Sequence, residues 1–143
     1  MSASLAAAIN TEMEGRILIG LDPATIALIE TLTSVAGSIG NLVLSHRTSQ
    51  IEKDKEDFYK NVKNYHNRTV EMLEKEKGSP KRLAREISED RLFVFLAGYE
   101  NTQEISRALS YIERLPKSRR SDRKAVLRAL LNVFRNISTT SYS

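Results

Sequence analysis

Residues 23–44 read PATIALIETLTSVAGSIGNLVL, and this stretch decides the fold. Asp22 before it is a favourable helix N-cap, and Pro23 presets the backbone angle of the first helical turn. The 21 residues from Ala24 to Leu44 contain one formal charge, Glu30. Large apolar residues recur along it at alternating spacings of four and three, which is typical of a seam that packs on another helix. The residues of this seam are Leu28, Leu32, Val35, Ile39 and Leu42.

A helix of this length can also cross a bilayer, since about 20 residues rise about 30 Å. An acidic side chain inside the helix opposes a plain span, because it costs about 2.5–3.5 kcal/mol on the insertion scale. Small and polar residues also form a stripe along the helix, which consists of Glu30, Ser34, Gly37 and Asn41. We predict a buried core helix or a subunit-contact helix, with a membrane-active segment as the alternative.

A second, mostly charged helix is predicted over residues 49–77. Ser49 opens a capping box, and Gly78 is a favourable residue at the helix end. The apolar stripe of this helix is thin, as expected for a helix with one packed edge and a solvated remainder. The connection at residues 45–48 is short, so we predict an antiparallel helical hairpin that pairs residues 49–77 with residues 23–46.

Both helices of the hairpin carry an apolar seam. Together the seams exceed what one small hairpin can bury, which predicts that the protein associates with itself as a homo-oligomer or a filament. The candidate self-association residues are Leu28, Leu32, Val35, Ile39 and Leu42 on the first helix and Ile51, Phe58, Val62 and Tyr65 on the second.

The chain of 143 residues is expected to form one cooperative all-α domain with three parts. Residues 1–21 are an N-terminal arm, residues 22–78 contain the hairpin, and residues 79–143 form a small C-terminal part of three helices. The most apolar run, Leu92 to Ala97, lacks the alternation of a half-buried strand and is expected to be buried in this part.

The last 28 residues carry a net charge of +6, which exceeds the net charge of +4 of the whole chain, because acidic residues slightly outnumber basic ones in the rest of the sequence. A final helix is predicted over residues 121–137, and Arg120, Lys124, Arg128 and Arg135 fall within an arc of about 80° on its wheel. The side expected to face the core consists of Val126, Leu130, Val133, Phe134 and Ile137. Such a basic edge predicts binding to a nucleic-acid backbone without sequence specificity, or to an anionic membrane surface as the alternative. The candidate contact residues are Lys117, Arg119, Arg120, Arg123, Lys124, Arg128 and Arg135.

Nothing in the sequence indicates catalysis. The chain has no cysteine, and its two histidines, His46 and His66, stand apart from any nucleophile motif and from carboxylates at metal-ligand spacing. A glycine-rich phosphate loop is also missing from the sequence. We therefore predict a non-enzymatic structural protein with no catalytic residue, no metal and no cofactor.

In outline, a long hairpin with a small helical head and a basic edge is similar to helical virion coat and nucleoprotein subunits. An apolar first helix followed by amphipathic helices is also similar to helical membrane-targeting death domains. The first likeness implies packaging of nucleic acid, and the second implies action at a membrane. The stretch from Met1 to Ile9 has no basic residue before its apolar part, so a cytoplasmic or virion-associated location is expected rather than secretion.

Overall fold

The computed structural model describes residues 20–46 and 51–140, and the described residues contain helices and no strand. The six α-helices are α1 (Pro23–His46), α2 (Glu52–Glu74), α3 (Pro80–Glu89), α4 (Arg91–Ala97), α5 (Tyr99–Arg114) and α6 (Arg120–Thr139). A 3-10 turn at Lys117–Arg119 precedes α6. The predicted all-α class is confirmed. The predicted N-terminal arm lies outside the described residues, except for Gly20 and Leu21.

α1 has the bounds that the sequence predicts. The Asp22 side chain accepts a hydrogen bond from a backbone amide of the first turn at 3.0 Å, which satisfies one of the free donors there. α1 packs chiefly on α6. The two helices run in the same direction, because Thr25 lies beside Asp122 near their starts and Ala36 lies beside Asn136 further along.

α2 packs on another side of α6 and runs in the opposite direction. The Tyr59 hydroxyl near the start of α2 lies 3.3 Å from the Thr140 hydroxyl, just beyond the end of α6. Glu76, just beyond the end of α2, forms an ion pair with Arg120 at the start of α6. The helices α1, α6 and α2 therefore form a layer with α6 in the middle.

This layer corrects the prediction of a hairpin in which residues 23–46 pack directly on residues 49–77. α1 and α2 do run in opposite directions, but α6 lies between them and is the main partner of both. The physical reason is the composition of α6: its buried residues cover about 200° of the helical wheel, so it needs partners on two sides. α2 is also shorter than predicted, and Ser49 lies outside the described residues.

The C-terminal part has four helices instead of the predicted three, because the chain breaks at Asp90. Asp90 has an extended backbone, and its side chain caps α4 by accepting the Phe93 N–H at 3.1 Å. The same carboxylate accepts the Tyr65 hydroxyl of α2 at 2.5 Å. The run from Leu92 to Ala97 lies within α4. α3 packs on α5, and α4 and α5 both contact α1.

A continuous hydrophobic core joins residues of all six helices. The predicted core side of α6 is confirmed, because its five residues are fully buried: Val126, Leu130, Val133, Phe134 and Ile137. The aromatic rings of Tyr65 and Phe134 lie 6.2 Å apart between their centroids, where α2 meets α6. The rest of the α6 wheel is left at the surface of the three-helix layer.

Candidate nucleic-acid interface

The exposed edge of α6 carries three bases in succession, Lys124, Arg128 and Arg135, which we call the basic ridge. Arg128 and Arg135 are exposed, and Lys124 is half-buried. At a rise of 1.5 Å per residue the ridge extends about 16 Å along the surface. The sequence placed four bases on this edge, Arg120 together with Lys124, Arg128 and Arg135. All four lie on α6 away from the side that faces the core, and their role in binding stays a prediction.

Two of the seven predicted contact residues form ion pairs within the chain. Arg120 Nη2 lies 2.6 Å from Glu76 Oε1, so part of its charge is already neutralised. Arg119 Nε lies 3.0 Å from Oδ1 of Asp122, which is buried. The other five residues pair with no acidic residue in the described part of the chain. These five are Lys117, Arg123, Lys124, Arg128 and Arg135.

Asp122 is a structural residue that the sequence analysis missed. It is 2 % exposed, and its carboxylate accepts hydrogen bonds from the Thr25 hydroxyl at 2.6 Å and from the Asp22 N–H at 3.0 Å. Burial alone would raise the pKa of Asp122, but these hydrogen bonds and the Arg119 guanidinium hold that pKa below its ordinary value. A signal was available, because on the wheel Asp122 falls on the apolar side of α6, beside Val126.

Bases also line a cleft of about 510 Å³ at the start of α6, which we call the N-terminal cleft. Its lining residues are Glu76, Leu115, Pro116, Lys117, Arg119, Arg120 and Arg123. The structure thus brings together four of the seven predicted contact residues at one end of α6. Arg119 and Arg120, the two bases in ion pairs, both line this cleft, so acidic side chains already neutralise part of its charge.

A second cleft, of about 500 Å³, lies between α2 and the end of α6, and we call it the Lys63 cleft. Its lining residues are Tyr59, Lys63, His66, Asn67, Arg135, Ser138 and Thr139. Sequence analysis found Arg135 but not Lys63, because the two residues are 72 positions apart in the sequence and only the packing of α2 on α6 brings them to one cleft. His66 Nδ1 lies 3.3 Å from Asn67 Oδ1.

Seven of the nine predicted self-association residues lie in the core of this single chain. The buried seven are Leu28, Leu32, Val35, Ile39, Phe58, Val62 and Tyr65. Leu42 is half-buried, and Ile51 is 66 % exposed. The surplus seams that motivated self-association are therefore covered by other helices of the same chain, among them α6 and α4. Self-association stays a prediction, and the large apolar side chains that are exposed in the described residues are Ile51, Phe95 and Tyr99.

α1 is long enough and apolar enough to cross a membrane, by length and composition alone. A buried core helix satisfies the same criterion. Four of the five seam residues of α1 are buried on their own chain, although only 33 % of its apolar 18-residue window is buried. Insertion of α1 into a bilayer would separate it from α6. It would also break the hydrogen bonds from Thr25 to Asp122 and from Asn136 to Ala36.

Within residues 20–46 and 51–140, no three His, Cys, Asp or Glu side chains lie close enough together to hold a metal ion. No protein-family model matches the chain, and no curated protein or solved structure matches it either. The features that bear on function are therefore the charge and shape of the α6 surface.

Proposed function

We propose that the protein is a non-enzymatic, nucleoprotein-like subunit that binds the phosphate backbone of nucleic acid along α6 without reading the base sequence. The observation that supports this proposal is the basic ridge. Its three side chains have no acidic partner in the described residues, so a bound phosphate displaces no internal ion pair. Lys and Arg that contact only the backbone carry no base information, which is why sequence independence is expected.

The dimensions of the ridge suit a nucleic-acid backbone. A length of about 16 Å corresponds to about five phosphate steps on one strand, at 3.4 Å of helix rise per step. The opposite face of α6 is buried between α1 and α2. Because the helix is held in the core, the conformational entropy that the protein loses on binding is limited to the side chains of the ridge.

Binding to an anionic membrane is the second candidate, and the apolar length of α1 is the observation that favours it. The two candidates differ in their dependence on salt. Attachment through the basic ridge alone is screened by salt, whereas burial of α1 in the lipid core is not. Flotation with neutral and anionic vesicles in high salt therefore separates insertion from electrostatic attachment.

The direct test is a salt titration of binding to duplex DNA, followed by fluorescence anisotropy. Three contacts predict that log K falls with log salt at a slope of about −2.7. Lys124→Ala and Arg128→Ala should each make this slope shallower by about 1, because each removes one phosphate contact. Both variants should keep their helicity, since Ala is the better helix former.

Arg91→Ala is the matched control, because Arg91 is an exposed base on α4 and lies outside the ridge. Its slope should equal that of the wild type. Equal slopes for all four proteins would place the binding site elsewhere. Absence of binding to single-stranded and double-stranded DNA and RNA at low salt would reject the nucleic-acid proposal. Flotation with vesicles in high salt would then favour the membrane candidate.

A further inference from the structure

The Lys63 cleft has the composition of an anion site. Lys63 comes from α2 and Arg135 from α6, so two cations flank the same space from different helices. Asn67, with its side-chain amide, also lines it, together with Tyr59, Ser138 and Thr139. The Ser138 and Thr139 hydroxyls donate to backbone carbonyls of α6, at 3.0 Å each, so they are not counted as donors to an anion. Its lining in the described residues includes no acidic side chain. Two cations and an amide in one cleft are groups that bind phosphate oxygens.

The charge of the cleft favours a phosphate monoester over a phosphodiester. A monoester carries about −1.5 to −2 charges at pH 7, with three terminal acceptor oxygens, whereas each backbone phosphodiester carries one negative charge. Lys63 and Arg135 together match the doubly charged group. The N-terminal cleft is a poorer match, because Glu76 and Asp122 already pair with two of its bases.

The size of the cleft indicates that more than a bare phosphate fits. A volume of about 500 Å³ lies within the range of small-molecule sites. Tyr59 and His66 are among its lining residues, and aromatic rings are the surfaces on which nucleobases stack. The ligand class indicated by these groups is a nucleotide whose phosphate is a monoester.

We propose that the Lys63 cleft binds the terminal phosphate and terminal nucleotide of a nucleic-acid strand that lies on the basic ridge. This inference rests on the proposed function, because Arg135 belongs to both the ridge and the cleft. A strand that follows the ridge from Lys124 to Arg135 reaches the cleft at the end of α6. The ridge then supplies sequence-independent affinity, and the cleft selects strands with a phosphorylated end.

The experiment compares single strands of one sequence that carry a 5′-phosphate, a 3′-phosphate or hydroxyls at both ends, by anisotropy at fixed salt. At least one phosphorylated strand should bind about fivefold more tightly than the hydroxyl strand, which corresponds to one additional solvent-exposed ion pair. Lys63→Ala should abolish this difference and change the affinity for the hydroxyl strand by less than about twofold. Lys60→Ala is the matched control, because Lys60 is exposed on α2 and does not line the cleft.

Equal affinities of the wild type for phosphorylated and hydroxyl strands would overturn the cleft proposal and leave the ridge proposal standing. A loss of the difference in Lys60→Ala as large as that in Lys63→Ala would also overturn it, because the effect would then be one of overall charge. A free nucleoside monophosphate is the second probe, with binding followed by NMR shifts of the His66 and Asn67 amides. Shifts with this probe when no strand binds would support the monoester site and reject the ridge.

Discussion

Asp122→Asn tests whether the buried carboxylate at the start of α6 holds α1 and α6 together. The substitution keeps the size of the side chain and removes its charge. In the native protein this carboxylate accepts hydrogen bonds from the Thr25 hydroxyl and the Asp22 N–H, and it pairs with the Arg119 guanidinium. We expect the variant to fold with lower stability. The NH₂ group of the Asn side chain is itself a donor, so it cannot accept the hydrogen bonds that a carboxylate oxygen accepts at this position.

The expected loss of stability follows from the interactions that the Asp122 carboxylate makes. Hydrogen bonds to a charged group contribute about 1.5–3 kcal/mol each, and breaking one side of a fully buried ion pair costs about 3–5 kcal/mol. The Arg119 side chain is 36 % exposed, so water can hydrate its guanidinium in the variant and offset part of the lost ion-pair energy. We therefore expect a loss of about 2–3 kcal/mol in the free energy of unfolding at pH 7, or roughly 7–10 °C in Tm.

The pH dependence gives a second, independent readout. The folded-state pKa of Asp122 lies below its ordinary value of 3.8, so the stabilisation is complete above that value and is lost as the pH falls through the folded-state pKa. Urea unfolding followed by circular dichroism at pH 7 and pH 3 measures both effects. Asp57→Asn, at an exposed position on α2, should change stability by less than about 0.5 kcal/mol. A loss below about 1 kcal/mol at pH 7, or an equal loss at both pH values, would refute the reasoning.

Two other predictions concern glycines of α1 and the state of association. Gly37→Ala should raise the free energy of unfolding by about 0.5–1 kcal/mol, because Gly37 is exposed within a helix and an added Cβ would contact nothing within 4 Å. Gly40→Ala should gain less, because its Cβ would lie 3.0 Å from Thr140 Cγ2; thermal melts that rank the pair the other way would contradict this. Sedimentation velocity should show association at rising concentration, weakened by Phe95→Ser because the Phe95 side chain is 50 % exposed. A strict monomer at high concentration would reject self-association.

The all-α class and the limits of α1 were predictable because they depend on local signals. Asp22 and Pro23 mark the start of α1, and the wheel of α6 separates its apolar side from the ridge. The pairing of helices was not predictable from the same signals. An apolar seam such as that of Leu28 to Leu42 indicates that another helix packs on it, but it does not indicate which helix. The width of the apolar side of α6 indicated contacts on two sides, and this was the missed signal for its central place.

Part of the candidate site was likewise predictable from local sequence, and part depends on how the helices pack. The basic ridge lies on one helix, so helical geometry alone predicts it. The Lys63 cleft depends on the packing of α2 against α6, which brings together residues that are distant in the sequence. The ion pair between Glu76 and Arg120 is likewise non-local, and sequence analysis therefore counted Arg120 among the free bases.

The central place of α6 has a consequence for how the chain folds. α6 follows the other five described helices in the sequence, and the hydrogen bond from Thr25 to Asp122 joins residues 97 positions apart. Folding rates fall as the mean sequence separation of contacts rises, so this chain should fold more slowly than bundles of successive hairpins. During synthesis the apolar seams of α1 and α2 emerge before the helix that covers them. The nascent chain is therefore most prone to aggregation or chaperone capture just before α6 leaves the ribosome.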